Sequence, residues 1–178
     1  MPHYLLLAVI VNSKGNPFRP LSYINLGHVD VTLWSPPQLP STFGFYPESL
    51  LHAFVSAFVP QKARLIRSKR FTRIPAYWQY WDLPKDRFLA VEEYLDKVTK
   101  GCVNGSVRYD ALHFNCLHLA YSCMETAGLN PPSIPVQRVW FAKTIVPHSF
   151  IHAVMSSTHY SIVDHDLDYR NEMRVCSI

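Results

Sequence analysis

Residues 109–128 read YDALHFNCLHLAYSCMETAG, and the way they divide decides the fold. A polar-aromatic lead-in reaches Asn115-Cys116 and then turns helical. Leu117, Ala120, Cys123 and Met124 recur at the spacing of one helix face. Asn115 is a suitable N-cap, Gly128 a suitable stop, and Pro131-Pro132 forbid continuation. Cys116 is then the first helical residue. The unpaired amides and the dipole at a helix start favour an anion, so a thiol placed there is biased towards the nucleophilic thiolate. Its own backbone N–H can serve an oxyanion. A cysteine that only fills a core needs no such position.

Upstream, Asp82-Leu83-Pro84 leads into a second helical pattern over residues 85–100. Its apolar positions are Phe88, Leu89, Val91, Leu95 and Val98, and Gly101 reads as its stop. Strands come earlier. Residues 4–11 are a continuous apolar run, too short to span a bilayer. Residues 26–34 alternate, with Val29, Val31 and Leu33 against His28, Asp30, Thr32 and Trp34, and Ser35-Pro36-Pro37 ends them. Residues 42–46 form a short strand closed by Pro47. Residues 48–58 read as a short helix with Leu51, Phe54, Val55 and Phe58 on one stripe, and residues 64–80 as β-rich segments broken by Pro75, with a strand at 71–74. Asn104-Gly105 is a turn. Beyond Pro132 the pattern weakens: 136–145 suits strand or helix, 150–156 a short amphipathic helix, 164–174 an exposed polar stretch. Strands followed by helices argue an α+β domain spanning 1–178, with its core at about 4–130 and a C-terminal extension over 133–178.

With 178 residues, 48% of them hydrophobic and 17% charged, the chain is globular. The net charge of +4 is mild, and the basic cluster of Lys62, Arg64, Arg67, Lys69, Arg70 and Arg73 suits a solvated strand or loop face about as well as an anion site. It matches no nucleic-acid motif, so no nucleic-acid partner is expected. The four cysteines include no CxxC pair, and Cys116 and Cys123 lie about 10 Å apart along one helix, too far for a disulfide. His113, Cys116 and His118 match no standard ligand spacing, and residues 116 and 118 point about 200° apart on a helix. No metal or other cofactor is expected. The apolar N-terminal run has no Lys or Arg ahead of it and no cleavage site behind it, which argues against a secretory signal. Synthesis in the cytoplasm without stable membrane insertion is the expectation.

A cysteine nucleophile needs a base. His28 sits on the less apolar face of its strand, and Asp30, two residues on, leaves from the same face and can orient the ring. The order "GHVDVTLW", then "STFGFYPE", then the opening stretch resembles the circularly permuted papain-like cysteine hydrolases. These include permuted NlpC-type amidases and lecithin:retinol acyltransferase-like enzymes, in which the histidine strand precedes the nucleophile helix. The resemblance covers residues 20–130. It implies an antiparallel sheet packed against the nucleophile helix, Cys116 as nucleophile, His28 as base, and Asn115 and Tyr109 as oxyanion or supporting groups. Acyltransferase-like members carry a second histidine that would fall on Pro40 here. Asp30, Glu48 and Thr42 are the local alternatives, Asp30 first.

The implied activity is amide hydrolysis, with a peptidoglycan stem peptide as the first substrate. "GFYP" with "GHVDV" is also similar to secreted antibacterial effectors of this superfamily, exported by a dedicated machine to a target cell's periplasm. A delivery or immunity protein would then be a partner. The rivals are a thiol acyltransferase or phospholipase acting on lipid esters, and a non-catalytic binding module on the same fold.

Overall fold

The computed structural model describes residues 5–12, 28–49, 52, 55–69, 77–131, 133, 137–139 and 142–144. Five strands come first: β1 (Leu5–Asn12), β2 (His28–Trp34), β3 (Ser41–Pro47), β4 (Gln61–Ser68) and β5 (Tyr77–Leu83). A 20-residue helix, α1 (Lys85–Asn104), leads through β6 (Arg108–Tyr109) to α2 (Cys116–Thr126). β7 (Gln137–Val139) and β8 (Ala142–Thr144) follow and pair antiparallel, so the described residues within 136–145 are strand rather than helix. The first six strands make one antiparallel sheet in the order β5-β1-β2-β3-β4-β6. The architecture is α+β. Among the described residues, no helix is long and apolar enough to cross a membrane.

β2 lies inside this sheet, between β1 and β3. Its apolar side chains Val29, Val31 and Leu33 are buried, and so are Asp30 and Thr32 on the opposite face. The register sets Thr32 against Thr42, whose hydroxyls bond at 2.8 Å, and Asp30 against Gly44. α2 packs on β2 and β3, while α1 packs on β4 and on α2. Val91, Leu95, Val98 and Cys102 on α1 join Leu117, Leu119, Ala120, Cys123 and Met124 on α2 in one core with Val29, Val31, Phe43 and Phe45. Burying a side chain of leucine or phenylalanine size stabilises by about 1.5–3 kcal/mol. This shared core is what fixes the start of α2 relative to β2.

Three expectations change. α1 does not stop at Gly101 but continues to Asn104, and Gly105 (φ 79°) supplies the left-handed cap. Gly101 has a packing role instead: Val107 folds back against it, and its amide donates to the Gly101 carbonyl at 3.0 Å. In the segment 48–58, Val55 and Phe58 are 39% and 63% exposed, so the apolar stripe is not core there; Leu51 and Phe54 lie outside the described residues. The β-rich reading that began at Arg64 starts earlier: β4 runs Gln61–Ser68 and carries Lys62, Arg64 and Arg67 of the basic cluster. The readings of 71–74, 150–156 and 164–174 fall outside the described residues.

Candidate active site

The start of α2 is built by the residues just before it. Asp110 closes a turn by accepting from the Leu112 amide at 2.8 Å and the His113 amide at 3.0 Å. Its other oxygen meets His113 Nδ1 at 3.0 Å, and its backbone exchanges two 3.0 Å bonds with Phe114. Asn115, in extended conformation, then caps the helix. Its Oδ1 accepts from the Leu117 amide at 3.0 Å and the His118 amide at 3.3 Å, while its Nδ2 donates to the Ala111 carbonyl at 3.0 Å. The Asn115 N–H donates in return to His118 Nδ1 at 3.3 Å, a reciprocal capping box. Burial, with the nearby His113 charge, holds the His118 imidazole below its usual pKa, which suits an accepting nitrogen. The Leu119 amide goes to the Asn115 carbonyl at 3.1 Å. Among the described residues, no group accepts from the N–H of Cys116.

β2 supplies the partner. His28 and Asp30 leave the same face of the strand, and Nε2 of the ring lies 2.8 Å from Asp30 Oδ1. Asp30 has no exposed surface, and its Oδ2 has no hydrogen-bond partner among the described residues. A buried carboxylate so incompletely satisfied is costly, and such costs concentrate where chemistry is done. Tyr46 adds two contacts. Its hydroxyl donates to Asp30 Oδ1 at 3.4 Å, and its ring stacks on the imidazole with centroids 4.3 Å apart and planes at 19°. Burial, then the charges of Asp30 and Cys116, push the phenol up, so it stays a donor. Gly44 makes the room. A Cβ there would collide with Tyr46 Cε2 and come within 2.7 Å of Asp30 Oδ1 and 2.8 Å of the Tyr46 hydroxyl.

The two halves meet at the imidazole. Cys116 acts on the His28 imidazole through its charge and side-chain hydrogen bonding, both of which raise the ring's pKa. With Nε2 held by Asp30, Nδ1 is the nitrogen left for sulfur. Burial alone would lower the imidazole's pKa. The Cys116 charge, the hydrogen bonds to Asp30 and Cys116, and the Asp30 charge outweigh it and push the group up to about 10. The ring keeps 20% of its side-chain surface open to solvent. Burial pushes the Cys102 and Cys123 thiols up, opposed at Cys102 by a hydrogen bond with the Leu65 backbone. Tyr109 lies near the site, with its ring centroid 5.3 Å from that of Phe45; burial and the Cys116 charge push its phenol well up.

Cys116, His28 and Asp30 are thus brought together, with Tyr109 beside them and Asn115 beneath as the cap. Of the alternatives to Asp30, Thr42 bonds Thr32 and Glu48 pairs with Lys62 at 3.2 Å. Sequence reasoning missed Tyr46 and the use of Gly44. The "FGFYP" stretch held the signal, a glycine two residues before an aromatic, but its meaning depends on facing Asp30 across the sheet. Among the described residues, no cluster of three His, Cys, Asp or Glu side chains is placed to hold a metal. His113 and His118 are engaged with Asp110 and Asn115 instead. A cleft of about 370 Å³ opens at the other end of the β2–β3 hairpin, lined by Pro36, Pro37, Phe88 and Leu89, and it does not include the Cys116–His28 pair. No known protein family matches the chain, and no match is found among curated proteins or among solved structures.

Proposed function

We propose that the protein is a cysteine hydrolase with a permuted papain-like fold that cleaves amide bonds. The observation that carries this reading is the His28 ring, held by Asp30 on one nitrogen and raised in pKa by Cys116, the first residue of α2. Cys116 Sγ attacks the carbonyl carbon, and the thiol proton resides on His28. The Cys116 N–H stabilises the tetrahedral oxygen, assisted by the protonated phenol of Tyr109. As the C–N bond breaks, His28 passes the proton to the leaving amine. Water, deprotonated by the same ring, then releases the acyl group and restores the thiol. Asp30 keeps the imidazole oriented throughout, and Tyr46 packs against its face.

The first substrate is a peptidoglycan stem peptide, met as an antibacterial effector that a dedicated secretion machine carries to a target periplasm. A delivery or immunity protein is the matching partner. Incubation with purified peptidoglycan, followed by mass spectrometry, tests the reading. Peptide fragments should appear with the wild type and not with Cys116→Ala. Equal release by the variant, or none by the wild type, sinks it.

One observation favours a lipid-ester substrate as the second reading. Val55, Phe58 and Val59 are 39%, 63% and 55% exposed, and the Ser56 carbonyl between them accepts from the Ala111 amide at 3.3 Å. An apolar protrusion therefore abuts the turn that leads to Cys116, where it could rest on a lipid surface. Cys116-dependent release of fatty acid from phospholipid vesicles, without peptide release, would select this reading.

A further inference from the structure

The face of the sheet that carries His28 and Asp30 continues outward into a row of cations. Across an antiparallel pair, opposed residues point the same way. The register sets Asp30 against Gly44, Tyr46 against Arg64, and Lys62 against Arg108. Extended by two residues, the β2–β3 register places His28 beside Tyr46, consistent with their stacked rings. His28, Tyr46 and Arg64 therefore follow one another across three strands. At about 4.8 Å per strand, the Arg64 backbone lies about 10 Å from that of His28, the span of about three residues of an extended peptide.

The row changes character along its length. Asp30 and Thr32 are sealed, His28 keeps 20% of its side-chain surface, and Lys62 keeps 60%. Arg64 and Arg108 are exposed. Lys62 directly opposes Arg108, an arrangement of like charges that costs stability unless a counter-charge answers it. Glu48 answers in part: its carboxylate takes Lys62 at 3.2 Å, while Arg64 Nη2 donates to the Glu48 backbone carbonyl at 2.7 Å. Among the described residues this leaves three cations against one carboxylate. The backbone bond pins the Arg64 guanidinium and leaves its other donors for a ligand. A planar, pinned guanidinium is suited to a carboxylate.

We infer that Arg64, with Lys62 and Arg108, forms a subsite for a substrate carboxylate two or three residues from the scissile amide. It is a specificity-determining site, and it rests on the amide-hydrolase reading above. Binding is read on the Cys116→Ala protein, so that no turnover is needed. The probes are the tripeptide L-Ala-γ-D-Glu-L-Lys with free carboxylates and the same peptide with every carboxylate amidated, titrated by calorimetry. The acid form should bind about tenfold more tightly, a factor a single charged hydrogen bond can supply. Arg64→Gln should erase the difference, and Glu48→Gln, which frees Lys62, should widen it. Both changes are at the surface, away from the core.

Equal binding of acid and amide, binding of neither, or a preference that survives Arg64→Gln overturns the subsite. Cys116-dependent cleavage without an acid preference sinks the subsite alone. An acid preference without cleavage by the wild type sinks the hydrolase reading alone.

Discussion

Asp30→Asn keeps the side chain's shape and removes its charge. The bond from His28 Nε2 is 2.8 Å long, and Asp30 has no exposed surface. A charge-assisted hydrogen bond of this kind contributes about 1.5–3 kcal/mol. At about 1.36 kcal/mol per unit, its loss lowers the imidazole's pKa by about one to two units. The group should fall from about 10 to about 8 or 9. The same shift appears in stability. The folded pKa lies above the unfolded value of 6.5, so the charged ring stabilises the native state fully below about pH 6.5. That contribution is lost as pH rises through about 10 in the wild type, and one to two units earlier in the variant. Imidazole NMR titration reads the pKa directly, with His28→Gln assigning the signal among nine histidines. Thermal melts across the alkaline range read the stability. A His28 pKa within about half a unit of wild type would refute the claim that Asp30 holds this ring charged.

Gly44→Ala should disturb the same pair from across the sheet, because its methyl would displace Tyr46 and the Asp30 carboxylate. Overpacking of this sort costs about 1–3 kcal/mol, so denaturant midpoints should fall and the His28 pKa should drop with them. Asn115→Ala removes the acceptor for two helix amides and should cost about 1–2 kcal/mol, read as a Tm lowered by about 2–4 °C per kcal/mol, together with slower alkylation of Cys116. Gly105→Ala meets no atom within 4 Å, so only its left-handed backbone matters: about 1–2 kcal/mol of stability should be lost while His28 titrates as in wild type. Iodoacetamide should modify Cys116 before Cys102 or Cys123, which peptide mapping distinguishes; earlier labelling of Cys123 would contradict its complete burial.

What was legible in the sequence was local. An asparagine before a cysteine, an apolar stripe and a terminal glycine mark α2 because each acts within a few residues. The alternation of 28–34 marks β2 for the same reason. The β character from Arg64 on was legible, but the start of β4 at Gln61 was not, because its outward positions carry Lys62 and Arg64 while Ala63 turns inward. Gly101 misled because a tertiary contact with Val107 outranked its helix-stopping tendency. Tyr46 and Gly44 could not be placed without the register, since a slip of one residue would turn both to the other face.

The cap on α2 limits the kind of anion its start can hold. A bare helix end offers several amides at once and can surround a phosphate, which presents three oxygens. Here the Asn115 side chain occupies the amides of Leu117 and His118, leaving the single N–H of Cys116. A lone donor matches the one oxygen of an acyl tetrahedral centre, and it offers a phosphoryl group too little. On the hydrolase reading proposed above, the residue that gives the helix its beginning also narrows the electrophile to one that presents a single oxygen.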